Sequence, residues 1–136
     1  MGKERIGIIS IHYGVNFGSA LQAIALSRYL KENYKFEKVD VINYIPQRFR
    51  KMTRLKNLTG RGVLQFIHGL VRMYRFEKTN NKYIYYLKEN TSVSKPIYSI
   101  NTAKNIFGDY KYLIAGSDQI WNSEYNQGID EMYYLG

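Results

Sequence analysis

Cysteine is absent from this 136-residue sequence. That excludes disulfides and thiolate metal sites, and it points to a reducing compartment. Long apolar runs are absent too. No stretch approaches the roughly eighteen consecutive apolar residues of a membrane-spanning helix. The opening "MGKER" runs straight into a short strand-like segment, without the apolar stretch of a signal peptide. Ile6 leaves the myristoylation pattern suggested by Met1 and Gly2 incomplete. Glycosylation-like triplets at Asn57 and Asn90 carry little weight in a chain expected to stay in the cytoplasm. There are no repeats, no low-complexity linker and no metal-ligand cluster. Acidic residues are nearly missing from positions 46–82, where ten basic residues face only Glu77. That segment accounts for the whole net charge of +9, so the charge is a local feature.

What is present argues for a folded domain. Apolar residues make up 45% and aromatics 15%, with 14 tyrosines, which excludes a disordered chain. The length suits one domain, 1–136, and is small for a complete two-substrate enzyme. Residues 6–11, "IGIISI", read as a buried strand followed by the polar break "HYGVNFG". Strong helix formers fill 19–33, capped by Ser19 or Asn16 and buried on a wide face. Residues 38–44 read as a second strand, so the first forty-odd residues form a βαβ unit with parallel strands.

After Pro46 comes a basic, irregular stretch, then an amphipathic helix over 61–79. Its apolar stripe, Val63, Phe66, Ile67, Leu70, Val71 and Tyr74, is expected to point inward. A second helix over 81–89 and a short one over 102–107 precede a third strand, 111–115. The expected fold class is α/β, a Rossmann-like parallel sheet with flanking helices and a basic helical insertion at about 46–90.

The third strand runs directly into "GSDQIW", residues 116–121. If it returns beside the first strand, a topological switch point lies between them, where ligands bind at the carboxyl ends of strands. The turn at His12, Tyr13 and Gly14 and the turn at Gly116, Ser117 and Asp118 would then border one cleft. Gly14 and Gly18 allow close backbone approach, and the helix start near Gly18 and Ser19 suits an anion such as phosphate. Asp118 is a candidate base or hydroxyl acceptor, and His12 a candidate acid or phosphate partner. Gln22 and Gln119 are placed to bond a polar ligand, and Trp121 to stack on a sugar face or fill the core. Taken singly, each has a plain alternative. Gly14, Asn16 and Gly18 serve equally as turn formers, His12 as a structural histidine and Asp118 as a cap. Only the pairing of the two motifs raises the functional reading.

Those residues carry a resemblance. "IHYGVNFGSALQAIAL" (11–26), "VINYIP" (41–46) and "YLIAGSDQIWN" (112–122) together resemble the polysaccharide pyruvyl transferase family, over its N-terminal half only. The resemblance implies one half of a two-domain glycosyltransferase-B-type fold, with the chain ending before a C-terminal domain. It implies transfer of the enolpyruvyl group of phosphoenolpyruvate, as donor substrate, onto two hydroxyls of a sugar in a cell-surface polysaccharide or its lipid-linked oligosaccharide precursor. A pyruvate ketal and phosphate result, without a cofactor or metal. His12 and Asp118 would handle protons. Tyr13, Gly14, Asn16, Gly18, Ser19, Gln22, Gly116, Ser117, Gln119, Trp121 and Asn122 would bind or orient substrate. Because the residues that hold phosphoenolpyruvate are expected mostly from the second half, no turnover is expected from these 136 residues alone. The alternative is a non-catalytic carbohydrate- or nucleotide-binding α/β module.

The basic segment admits three readings. One is a solvated helix face beside a mobile loop. Another is peripheral contact of 46–82 with an anionic membrane, which suits an enzyme working at the inner face of the cytoplasmic membrane. The third, nucleic acid, is not expected, since no nucleic-acid motif accompanies the charge.

Overall fold

A computed structural model of the chain describes residues 4–12, 17–52, 62–126 and 128–134; the side chains of Arg48, Lys51, Met52, Asp118 and Tyr125 lie outside that description. The first strand, β1 (Arg5–Ile9), is buried on both faces, as its unbroken apolar run requires. Helix α1 (Phe17–Asn33) follows, then β2 (Lys38–Val41), pairing parallel to β1 with Ile6 opposite Val39 and Ile8 opposite Val41. The polypeptide continues through α2 (Gln47–Met52) and α3 (Val63–Asn90) to β3 (Ser92–Val93). Helix α4 (Ile100–Phe107) then leads to β4 (Tyr112–Ala115). A 3-10 turn (Asp118–Trp121), the one-turn helix α5 (Ser123–Asn126) and a second 3-10 turn (Glu131–Tyr134) complete the described chain.

The sheet is all-parallel with order β3-β2-β1-β4. The chain therefore steps outward from β1 to β2 to β3, then reverses to the far side of β1. Right-handed crossovers demand that the helices before and after such a reversal cover opposite faces. They do so here. Leu26 and Leu30 of α1 pack on Ile6, Ile8, Val39 and Ile114, and Ala23 and Ile24 join Leu87 of α3 on Val41. On the other face Ala103, Ile100 and Ile106 of α4 pack with Ile9, Ile42 and Ile97, joined by Ile120, Met132 and Tyr133 from the closing turns. This is an α/β Rossmann-like architecture.

Several elements depart from the sequence reading. Helix α1 buries a narrow stripe, Ala20, Ala23, Ile24, Ser27 and Leu30, while Leu21 and Tyr29 are exposed. Small residues on that stripe let the helix axis lie close to the sheet, so a few contacts suffice. The segment beyond Pro46 is not wholly irregular: α2 forms there, and Phe49 is buried in parallel stacking on Phe76 at 5.8 Å. The two helices expected over 61–89 are one 28-residue helix, α3, which runs on through Thr79, Asn80 and Asn81. These are weak helix formers, but each costs only about 0.6 kcal/mol relative to alanine, and Asn80 is buried against the body. Strand β3 was not anticipated. Two residues, Ser92 and Val93, pair with Asp40 and Val41, and a bridge from Tyr44 to Ile97 prolongs the pairing. Most unexpectedly, the α3 stripe points inward only along one edge: Phe66 and Leu70 are half-buried, while Val63, Ile67, Val71 and Tyr74 are exposed, as is Leu64 beside them.

One buried charge organises the amino-terminal end of the sheet. Asp40 on β2 is fully buried. Its Oδ1 accepts from Ser92 Oγ and lies 3.1 Å from Lys38 Nζ; its Oδ2 accepts from Tyr110 Oη at 3.0 Å and lies 3.4 Å from Arg5 Nη2. Burial alone would push this carboxyl up. The Ser92, Lys38 and Tyr110 donors outweigh it and hold Asp40 below the usual carboxylate range.

Candidate functional site

The strand order that a switch point requires is present. β4 lies directly beside β1, with Ile9 opposite Ala115, and β2 lies on the other side of β1. The carboxyl end of β1 is thus a topological switch point. Past β4 the ladder continues: Gly116 N–H donates to Ile9 O at 2.7 Å, so Gly116 and Ser117 run alongside the segment leading to His12. Glycine at 116 has a packing reason. A Cβ there would sit 3.0 Å from Ile8 Cγ2 and 3.4 Å from Leu26 Cδ2.

His12 is buried, with 2% of its surface exposed. Its Nδ1–H donates to Ser10 O at 3.0 Å, and its Nε2 lies 3.2 Å from the Asn43 side-chain amide, placed with Oδ1 toward the ring. Burial lowers its pKa, only partly offset by the bonds to Asn43 and Ser10, so the ring is neutral near neutral pH. A neutral ring with Nδ1 protonated accepts at Nε2, which needs the Asn43 NH2 turned toward it; a protonated ring needs Asn43 Oδ1 there instead. Asn43 is held in turn by its own N–H, which donates to Ser94 Oγ at 2.9 Å. Beside this pair Ser10 Oγ is buried with no hydrogen-bond partner among the described residues.

On the β4 side, Ser117 is extended and 8% exposed, and it precedes the 3-10 turn without capping it through its side chain. The turn is buckled by Asn126, whose Nδ2 donates to Ile120 O at 2.9 Å and Gln119 O at 3.3 Å. Gln119 Oε1 accepts from Asn122 Nδ2 at 3.2 Å, so these two exposed amides hold each other. Ile120 enters the core. Trp121 does not: it is 52% exposed and meets Tyr134 edge-to-face at 4.9 Å. An exposed indole with a second aromatic beside it is a surface suited to the apolar face of a sugar ring.

The remaining candidates divide. Gly18 and Ser19 lie in the first turn of α1, so Ser19 is inside the helix and does not cap it. Gln22 is exposed one turn on. Tyr13, Gly14 and Asn16 lie outside the described residues, as does the side chain of Asp118; its backbone opens the 3-10 turn. Sequence reasoning missed Ser10, Asn43 and Tyr134. For the first two a signal existed: a serine and an asparagine sit among β-branched residues in runs expected to be buried, where a polar side chain needs a partner.

A separate groove of about 1120 Å³ opens at the opposite, amino-terminal end of the strands, lined among others by Arg5, Tyr34, Phe36, Tyr110 and Lys111. It shares no residue with the switch point. Among the described residues no group of three or more histidines and carboxylates is placed to hold a metal, and no helix is long and apolar enough to cross a membrane.

The fold and the switch point define the class of an α/β protein with a Rossmann-like parallel sheet. Comparison with known proteins adds no narrower group: no family model, no curated protein and no solved structure matches the chain.

Proposed function

We propose that this chain is the acceptor-side half of a pyruvyl transferase-like protein, acting on a sugar diol of a cell-surface polysaccharide or its lipid-linked precursor at the cytoplasmic face of the membrane. The observation that carries the reading is the pairing of β1 with β4, which brings together the carboxyl ends of the strands that lead to His12 and to Gly116. In the proposed reaction an acid protonates the methylene carbon of phosphoenolpyruvate, and an oxocarbenium-like centre develops at C2. One sugar hydroxyl adds to it, losing its proton to a base. The second hydroxyl then adds at the same carbon as the C–O bond to phosphate breaks, its proton passing to the departing phosphate, leaving the ketal and free phosphate. Asp118 is proposed as a proton-handling group. His12, neutral and already oriented through Nδ1, offers Nε2 as a base once the Asn43 amide turns away. Trp121 and Tyr134 are proposed to carry the sugar ring.

Burial of His12, with both ring nitrogens engaged, favours a second reading: a non-catalytic carbohydrate- or nucleotide-binding module that keeps the cleft. Trp121 is the chain's single tryptophan, so its emission reports the site. Under the transferase reading, acceptor diols alter that emission saturably, and phosphoenolpyruvate with acceptor releases no phosphate from this chain alone. Robust phosphate release would refute the division into halves. Sugar-insensitive emission combined with a response to nucleotides would replace the transferase reading with the module.

A further inference from the structure

Helix α3 carries a surface that the fold does not use. Its buried residues, Asn80, Tyr83 and Leu87, all lie in its last three turns. Over residues 63–75, about 18 Å of helix, no residue is fully buried: Phe66, Gly69, Leu70 and Met73 are half-buried on the side that runs on toward Asn80, Tyr83 and Leu87, and the rest are exposed. On that length Val63, Leu64, Ile67, Val71 and Tyr74 are exposed, and at 100° per residue they share an arc of about 100°. Exposed apolar side chains in a contiguous stripe call for a partner. Charge selects among partners. Arg75 borders the stripe on one side, and Lys78 and Lys82 continue its line toward the body, all three exposed. Lys78 Nζ lies 5.9 Å from the Tyr74 ring centroid, its stem along the apolar strip and its ammonium free to reach a headgroup. The only acid on α3 before Glu89 is Glu77, at the opposite border.

A second copy of this helix would bring these cations against each other with almost no acids to answer them. Nucleic acid would engage the cations but leave the apolar stripe in water. An anionic bilayer satisfies both features at once: the stripe enters the interface and the arginines and lysines meet the headgroups. We infer that the amino-terminal half of α3 docks this protein on anionic lipid, through apolar insertion of Val63, Ile67, Val71 and Tyr74 and charge contact by Arg75 and Lys78. The inference stands whether or not the pyruvyl-transfer reading holds.

Co-sedimentation with vesicles tests it. The chain is expected to pellet with phosphatidylcholine vesicles containing phosphatidylglycerol, to stay in solution with phosphatidylcholine alone, and to be released by added salt. Replacing Arg75→Gln and Lys78→Gln together is expected to lower the partition coefficient roughly thirtyfold, at about a factor of five per cation. Ile67→Ser with Val71→Ser removes exposed side chains only, so it is expected to lower partitioning while the thermal midpoint stays put. Equal partitioning to both vesicle types, or no partitioning to either, overturns the inference. Retention of binding by either double variant also overturns it. A dimer by analytical ultracentrifugation that Ile67→Ser with Val71→Ser dissolves, without vesicle binding, would assign the stripe to a second copy instead.

Discussion

Replacing Asp40 by asparagine keeps the shape of the side chain and removes its charge. In the wild type each carboxylate oxygen receives two donors: Ser92 and Lys38 at Oδ1, Tyr110 and Arg5 at Oδ2. An amide keeps one acceptor and turns an NH2 toward the other pair, so one hydroxyl faces a donor with no acceptor. Leaving such a group buried costs about 1–3 kcal/mol, and the surviving bond weakens from charged to neutral by about 1 kcal/mol. The two cations contribute little more, since their side chains are 32% and 45% exposed and can turn to water. The expected loss is about 3 kcal/mol, or roughly 10 °C in the thermal midpoint for a domain of this size. The pH dependence gives a second check. Asp40 is held below its ordinary value, so its contribution is present above the unfolded pKa of about 3.9 and is lost as pH falls through the folded value. Urea titrations of both proteins should therefore show a constant gap from about pH 7 to pH 5, closing only in strong acid. A variant within about 0.5 kcal/mol of wild type near neutrality would refute the network, as would a gap that has already closed by about pH 5.

The buried imidazole should act at a higher pH. Burial depresses the His12 pKa, so its contribution to stability is complete above the unfolded value of about 6.5 and falls away as pH drops through the folded value; His12→Asn should flatten the urea midpoint between about pH 7 and pH 5, and an unchanged slope would count against the burial. Gly116→Ala places a methyl 3.0 Å from Ile8 Cγ2, on a central strand with no room to recede, and should cost about 1–2 kcal/mol by thermal denaturation; a neutral result would show that β4 can shift outward.

The sequence made the centre of this fold readable and its periphery less so. Residues 6–11 and 112–115 are short and β-rich, and both end on polar turns, so their roles as neighbouring parallel strands followed from pattern and crossover rules. The edge strand Ser92–Val93 carries no such pattern, because two residues cannot display a period; it exists only because Asp40 and Val41 offer it a ladder. For α3, periodicity correctly located the apolar stripe but could not say what lies opposite. An amphipathic pattern records that a face is apolar; the inward direction was an assumption that holds in part at Phe66 and Leu70, both half-buried, and fails at Val63, Ile67, Val71 and Tyr74. At the site, the polar series after β4 and the histidine after β1 were visible as chemistry out of place for turns. The Asn43 partner of His12 was not, since the contact spans 31 positions and depends on β2 lying beside β1.

Helix α3 is about 42 Å long and has no proline along its length. It is clamped near its far end, where the Tyr83 ring lies 4.3 Å from that of Phe17, the first residue of α1. A stiff rod held at one end transmits force applied at the other. The start of α1 at Phe17 is thus tied through Tyr83 to the same helix whose first turns carry the exposed Val63, Ile67, Val71 and Tyr74.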